Sequence, residues 1–320
     1  MNTLKKISNQ TILISALDWG FGHTTRCVAL INELLKQNNK IIFAGNQQQT
    51  LFMIKEFPQI TIEQIDGYNV TLSSHQSTYL QMAKQLNKIT SAIKKENKWV
   101  EQYVKQHKVD VIISDNRYGF RNSNVKSIFM GHQLNVYVPY FRQLVNKKLS
   151  KYINQFNGCW IVDDESINLA GDLSNPKYLS IPYNYIGLLN RLTKKEEGIL
   201  FDYLIIISGA YPENEHFLKK VEDYFSQKTT SLVIISTVKS NQPIKNAKYI
   251  YNPTTNELNT LINQSKIIVS KLGYTTLMEM VGLEKDCFLI PTKGQFEQEY
   301  LAKHICYKTI KMINSVNNIN

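Results

Sequence analysis

The sequence has no Cys-x-x-Cys pair. Its four cysteines, Cys27, Cys159, Cys287 and Cys306, are scattered, which excludes a zinc ribbon or a disulfide framework and leaves buried free thiols as the expectation. It has no apolar run near the ~18 residues of a spanning helix, and Met1 to Thr11 lacks the apolar centre of a signal peptide. A cytoplasmic location is expected, with the inner face of the cytoplasmic membrane within reach. There is no D-x-D pair and no G-x-G-x-x-G, so neither a metal-carboxylate motif nor a dinucleotide fingerprint is supported. Arginine is scarce as well: 5 of the 37 basic residues are Arg. The net charge of +11 therefore comes largely from Lys, and the placement of the few arginines says more than the total. Arg26, Arg117 and Arg121 all fall in polar loops, where a planar fork suits phosphate.

What is present is an alternation. Apolar β-branched runs alternate with helical patterns, as in a parallel sheet covered by helices on both faces. The first series predicts strands at 11–17, 40–44, 60–65, 109–114, 126–130 and 159–163, with helices at 24–37, 47–56, 77–107 and 139–156. The second predicts strands at 201–208, 231–236, 247–251, 266–270 and 286–290, with helices at 213–226, 255–263, 274–282 and 296–306. Residues 187–200 between them are polar and charged. At 320 residues the chain exceeds the size of one ordinary core. The expected architecture is α/β, with two doubly wound Rossmann-like domains, 1–191 and 192–320, facing a cleft. The Asn-rich end, 314–320, is expected to fray.

The polar motifs follow strands, where such domains bind ligands. In D-W-G-F-G-H-T-T-R, Gly20 and Gly22 permit close backbone approach and His23 stands at a helix start; the same glycines also serve a tight turn. A neutral imidazole is suited to removing a hydroxyl proton near neutral pH. In I-S-D-N-R-Y-G-F-R, Asp115 can orient a histidine and Arg117 can meet a phosphate, or the Asp can cap local backbone. His132 and Gln133 follow the next strand, and His132 joins Arg26 and Arg117 as a candidate for phosphate or acceptor, or is a satisfied structural residue. Ser208 and Gly209 precede a helix and can present backbone N–H groups to phosphate.

Segment 270–301 is the densest. S-K-L-G-Y-T-T-L-M-E places Gly273, Thr275 and Thr276 at a helix start suited to a diphosphate. Glu279 lies close behind, odd beside an anion unless it accepts from paired hydroxyls such as a ribose. P-T-K-G-Q-F-E-Q-E-Y-L adds Gln295, Gln298 and Glu299, groups that suit sugar hydroxyls but that also stabilise a helix dipole.

Residues 266–301 resemble the donor-binding domain of glycosyltransferase family 28, the MurG-like enzymes, and G-F-G-H resembles their N-terminal glycine-rich loop. The resemblance implies a GT-B fold, sugar transfer from a UDP-sugar with inversion, and no metal or other cofactor. It makes Glu279 the ribose ligand and Gly273, Thr275 and Thr276 the diphosphate and uridine pocket. Gln298 and Glu299 become sugar contacts, and His23 the base or a diphosphate neighbour. This chain departs from the family's second glycine-rich loop, keeping only Ser208-Gly209. It also has Lys271-Leu272 where the family has Arg before the donor glycine, and Glu299 where MurG enzymes carry Gln.

Asp163-Asp164-Glu165 reads as a strand-end turn. Segment 137–152 mixes aromatics with Arg142, Lys147, Lys148 and Lys151 and has no acid, as a stretch resting on anionic membrane and admitting a lipid-linked acceptor would. An ordinary amphipathic helix has the same composition. No nucleic-acid module is recognisable and no nucleic-acid partner is expected. The competing functions are a nucleotide-sugar epimerase of the same fold and a noncatalytic sugar-nucleotide or membrane-binding protein.

Overall fold

The structure, a computed structural model, describes residues 4–68, 70, 84–138, 140–209 and 211–319. The chain divides into two compact units that meet in sequence between Leu189 and Asn190. Among the described residues each unit carries one all-parallel sheet.

In the first unit the strands are β1 (Thr11–Ala16), β2 (Lys40–Gly45), β3 (Thr61–Gln64), β4 (Val111–Asp115), β5 (Lys126–Gly131), β6 (Gly158–Ile161) and β7 (Tyr183–Tyr185). They lie in the order β3-β2-β1-β4-β5-β6-β7. The helices are α1 (Phe21–Leu35), α2 (Gln47–Glu56), α3 (Leu86–Gln106) and α4 (Arg142–Ile153). β4 is buried at every residue, and β1 at every residue after Thr11. That continuous burial, in place of alternation, is what a parallel sheet with both faces covered demands. α3 turns Ile89, Glu96, Val100 and Tyr103 inward on one stripe. Val100 and Tyr103 pack with Leu13, Ile42, Ile112 and Phe120. A second apolar group joins Phe129, Ile153, Phe156 and Ile161. α2 starts on a capping box made by Asn46 and Gln49, worth about 1 kcal/mol.

The second unit contains β8 (Phe201–Ile207), β9 (Leu232–Ser236), β10 (Ala247–Tyr251), β11 (Ser265–Lys271), β12 (Cys287–Ile290) and β13 (Ile310–Met312), ordered β10-β9-β8-β11-β12-β13. Its helices are α5 (Glu213–Phe225), α6 (Thr255–Asn263), α7 (Tyr274–Leu283) and α8 (Phe296–His304). The core gathers Ile205, Ile207, Val221, Phe225, Ile234 and Val269. In both units the strand order reverses at one place, between β1 and β4 and between β8 and β11. At such switch points the loops leaving adjacent strands diverge and open a crevice at the strands' carboxyl ends.

Several expectations are corrected. β7 and β13, three residues each, extend the sheets beyond the predicted strands, because an edge strand that short is defined by its pairing and not by periodicity. The predicted helix 77–107 is observed as Leu86–Gln106, and its residues 77–83 lie outside the described residues. Helix 139–156 shortens to Arg142–Ile153 because Phe141 adopts the left-handed region, φ 54°. The Asn-rich tail does not fray through Ile319: Val316 and Ile319 are buried against the second core, and the Tyr224 hydroxyl donates to the Ile319 carbonyl at 2.6 Å. Cys27, Cys159 and Cys287 are buried thiols, but Cys306 is exposed. Among the described residues no helix is long and apolar enough to cross a membrane.

Candidate active site

At the β1/β4 switch point of the first unit, His23 sits in the first turn of α1 and Asp115 ends β4. α1 begins at Gly20, whose φ of 120° admits no ordinary side chain, and its first turn holds no acid. His23 Nδ1 lies 2.9 Å from Asp115 Oδ1. Asp115 is fully buried, and a carboxylate can only accept, so this contact favours the proton on Nδ1 and the lone pair on Nε2. The His23 side chain keeps 17% of its surface open to solvent.

Arg26, one turn further along α1, completes the cluster. Its Nε donates to Asp115 Oδ2 at 2.5 Å and its Nη2 to Oδ1, while Nη1 lies 2.8 Å from His132 Nδ1. A guanidinium only donates, so His132 accepts through Nδ1 and carries its proton on Nε2. Arg26 Nη2 also stands 2.9 Å from His23 Nδ1, where it competes with Asp115 for the tautomer. Burial works to raise the Asp115 carboxyl, but the charges and hydrogen bonds of Arg26 and His23 outweigh it and hold the pKa at about 2. The same burial and the Asp115 charge push the neighbouring Cys27 thiol up, making it inert.

The residues read from the sequence as phosphate or acceptor candidates all have protein partners. Arg26 and His132, candidates for phosphate or acceptor by sequence, are buried and bonded to each other, and Arg26 also to Asp115, so here they brace the His23–Asp115 pair. Arg117 is fully buried. It pairs with Glu96, donates from Nη2 to the Asp66 carbonyl at 2.8 Å, and lies over the Tyr68 ring. Glu96 Oε2 in turn accepts from the Tyr68 hydroxyl and from Gly119 N, each at 2.8 Å. Arg117 is a core group here. Arg121 is tied to Gln155 Oε1.

In the second unit, Lys271 ends β11 and Gly273 opens α7. That helix start has no side-chain cap and no acid in its first turn, and a Cβ at Gly273 would meet nothing within 4 Å. The partial positive charge of that helix start thus meets no carboxylate of its own first turn, which suits an anion site. Thr275 and Thr276 stand half-buried in this first turn. Ser208 and Gly209 end the neighbouring β8 loop, where Gly209 takes φ 103°. α5 differs from α7: Glu213 and Glu215 already occupy its first turn, which makes it the poorer phosphate cradle. Burial lowers the Lys271 ammonium, with Glu213 opposing the shift, and its Nζ lies 5.2 Å from the Phe217 ring centre.

Glu279 is buried on α7 and accepts from Arg191 Nε at 2.8 Å. Arg191 was not singled out in the sequence, although an arginine in a Lys-rich chain and a Lys-rich linker was a signal to hand. Gln298 Oε1 accepts from Thr292 N at 2.7 Å, Gln298 Nε2 donates to Gln295 Oε1 at 2.6 Å, and Glu299 Oε1 accepts from Gly294 N at 2.8 Å. These three side chains thus hold the 292–295 turn at the head of α8, a local role beside the sugar contacts expected of them. Asp163 is consumed by Leu169 N, Ala170 N and the Ser174 hydroxyl, and Asp164 by Ser166 and Ile167 N, as a strand-end turn requires.

No protein-family model matches the chain, and no curated protein matches it in sequence. Solved structures do. The glycotransferase of kitacinnamycin matches with a TM-score of 0.64 at 12% identity, covering 97% of this chain and 87% of that one. UGT89C1 of Arabidopsis thaliana, complexed with UDP-L-rhamnose, matches at 0.63 and 10% identity, with 97% and 87% coverage. MurG of Acinetobacter baumannii matches at 0.52 and 13% identity, with 94% and 85% coverage. The chain has the GT-B fold. In this GT-B chain the sequence-derived residues fall at the switch points of both Rossmann-like units, His23 with Asp115 in one and Gly273 with Glu279 in the other.

Proposed function

We propose that this chain is an inverting glycosyltransferase that works without a metal, moving a hexose or N-acetylhexosamine from a nucleotide sugar, UDP-linked, to a hydroxyl acceptor. The observation that carries the reading is the His23–Asp115 pair: a buried carboxylate on Nδ1 leaves Nε2 of a partly exposed imidazole to take a proton. In the reaction, His23 Nε2 accepts the acceptor's hydroxyl proton as that oxygen bonds the anomeric carbon. The carbon–oxygen bond to the diphosphate breaks on the opposite face, and the nucleotide diphosphate leaves with the electron pair. Its charge is met by the start of α7, which has no acid in its first turn, with Thr275, Thr276 and Lys271, a preorganised role. Glu279 serves the ribose, and Gln295, Gln298 and Glu299 the sugar. The engaged carboxylates of Asp163 and Asp164 favour this metal-free reading over one through the acidic turn.

The likeness to a UDP-L-rhamnose complex and to MurG supports a nucleotide-sugar donor. We place the protein in the cytoplasm at the membrane's inner face, with a lipid-linked or cell-envelope glycan acceptor. Tyr140, Phe141 and Leu144 are 69%, 73% and 65% exposed beside Arg142, Lys147, Lys148 and Lys151, a mixture suited to an anionic surface.

Calorimetry with UDP-, GDP- and TDP-sugars in chelator, followed by transfer assays on lipid extracts, tests the proposal. Binding without added metal and an inverted glycoside product are expected. No binding of any nucleotide or nucleotide sugar sinks it, and a new sugar epimer from donor alone moves the assignment to an epimerase.

A further inference from the structure

The segment that joins the two units is fastened to the second one by side chains. Asn190 Nδ2 donates to the Glu279 carbonyl at 3.2 Å, and Asn190 Oδ1 accepts from Leu192 N at 2.8 Å. Thr193 N donates to Asn259 Oδ1 at 3.0 Å and Lys195 N to Asn263 Oδ1 at 2.9 Å, both acceptors on α6. A Cβ at Gly282 would stand 2.5 Å from Asn190 Nδ2, so a larger residue there would displace the Asn190 amide from this position. Arg191 is carried by that fastened backbone. Its Nε donates to Glu279 Oε1 at 2.8 Å and its Nη1 to Thr255 Oγ1 at 3.1 Å, and both members of the ion pair are more than nine-tenths buried.

We propose that Arg191 is the positioning residue of the nucleotide site, holding the Glu279 carboxylate in one orientation to accept the hydroxyls of a ribose. The inference rests on the donor assignment above and goes beyond it. Three physical reasons support it. A free glutamate side chain would lose rotamer entropy on meeting a ligand, and the Arg191 contact imposes that loss before binding. A carboxylate offers about four lone-pair sites, so one guanidinium bond leaves capacity for two hydroxyls. A lone anion in the same short helix as a diphosphate site would repel the ligand, and the pair cancels its charge. Arg191 touches no reacting atom. It acts through Glu279.

The test is calorimetry on the full chain with UDP and 2′-deoxy-UDP, for the wild type, Arg191→Gln, Arg191→Lys and Glu279→Gln. The wild type is expected to prefer UDP by about tenfold or more, because a site built for a hydroxyl rejects the analogue that lacks it. Arg191→Gln and Glu279→Gln are each expected to bring the preference below about threefold, with Arg191→Lys in between since it keeps charge but loses the fork. Should Arg191→Gln fail to give a cooperative melt, Arg191→Lys carries the test by its reduced preference. If Arg191→Gln weakens both ligands equally and keeps the preference, Arg191 is merely structural and the inference falls while the donor assignment stands. If the wild type binds neither nucleotide, the donor assignment falls and the inference with it.

Discussion

Asp115→Asn tests the central cluster most directly. The substitution keeps the shape of the side chain but removes the anion that faces Arg26, a guanidinium with 1% of its surface exposed. Leaving one member of a buried pair uncompensated costs about 3–5 kcal/mol. The pKa gives a second measure of the same effect. Asp115 sits at about 2 in the folded protein against an ordinary 3.8. The difference corresponds to about 2.5 kcal/mol, at about 1.4 kcal/mol per pH unit. A folded pKa below the unfolded one stabilises the fold above about pH 4, and that contribution is lost as pH falls through about 2. About half of it is gone by pH 3. Urea unfolding of both proteins at pH 7, 5 and 3 should therefore show a gap of about 2.5 to 5 kcal/mol at neutral pH that narrows by about 1 kcal/mol at pH 3. The variant should also lose about 100-fold or more in turnover, because the new amide can donate to His23 Nδ1 and so drive the proton onto Nε2. A gap that does not change between pH 7 and pH 3, or no gap at neutral pH, would refute the account of Asp115 as an ionised partner of Arg26.

Three further outcomes follow from the remaining contacts. His23→Ala should leave nucleotide-sugar binding within about twofold while turnover drops by about 10² to 10⁴, read as kcat against Kd; an equal loss in both would make His23 a ligand and not the base. Arg117→Met should destabilise the fold by about 3 to 5 kcal/mol, since it strands the buried Glu96 carboxylate, yet leave donor affinity unchanged in calorimetry. Weakened affinity at full stability would restore Arg117 as a phosphate ligand. Removing residues 314–320 should cost about 3 kcal/mol in chemical denaturation, from exposing the sites filled by Val316 and Ile319; an unchanged midpoint would mean the tail adds nothing.

The sequence by itself determined the alternation, and with it the fold. Runs such as T-I-L-I-S-A and V-I-I-S-D are apolar at nearly every position because both faces of the sheet are covered, and that pattern is local. Glycines and polar residues directly after such runs also marked the loops at Gly20, Asp115 and Gly273, because strand ends at a switch point are where a parallel sheet leaves room for ligands. Partnership was not legible. Asp115 and His23 are 92 positions apart, Arg117 and Glu96 are 21, and Arg191 and Glu279 are 88. An arginine in a polar loop looks the same in sequence whether its fork meets a phosphate or a buried carboxylate. The strands bring β1 beside β4 and so Arg26 onto Asp115, which gives a predicted anion ligand a buried carboxylate as its partner. Edge strands as short as Tyr183–Tyr185 and Ile310–Met312 likewise exist only through their neighbours. Composition and period are properties of a segment, whereas charge compensation is a property of the distance between segments, and only the folded chain sets that distance.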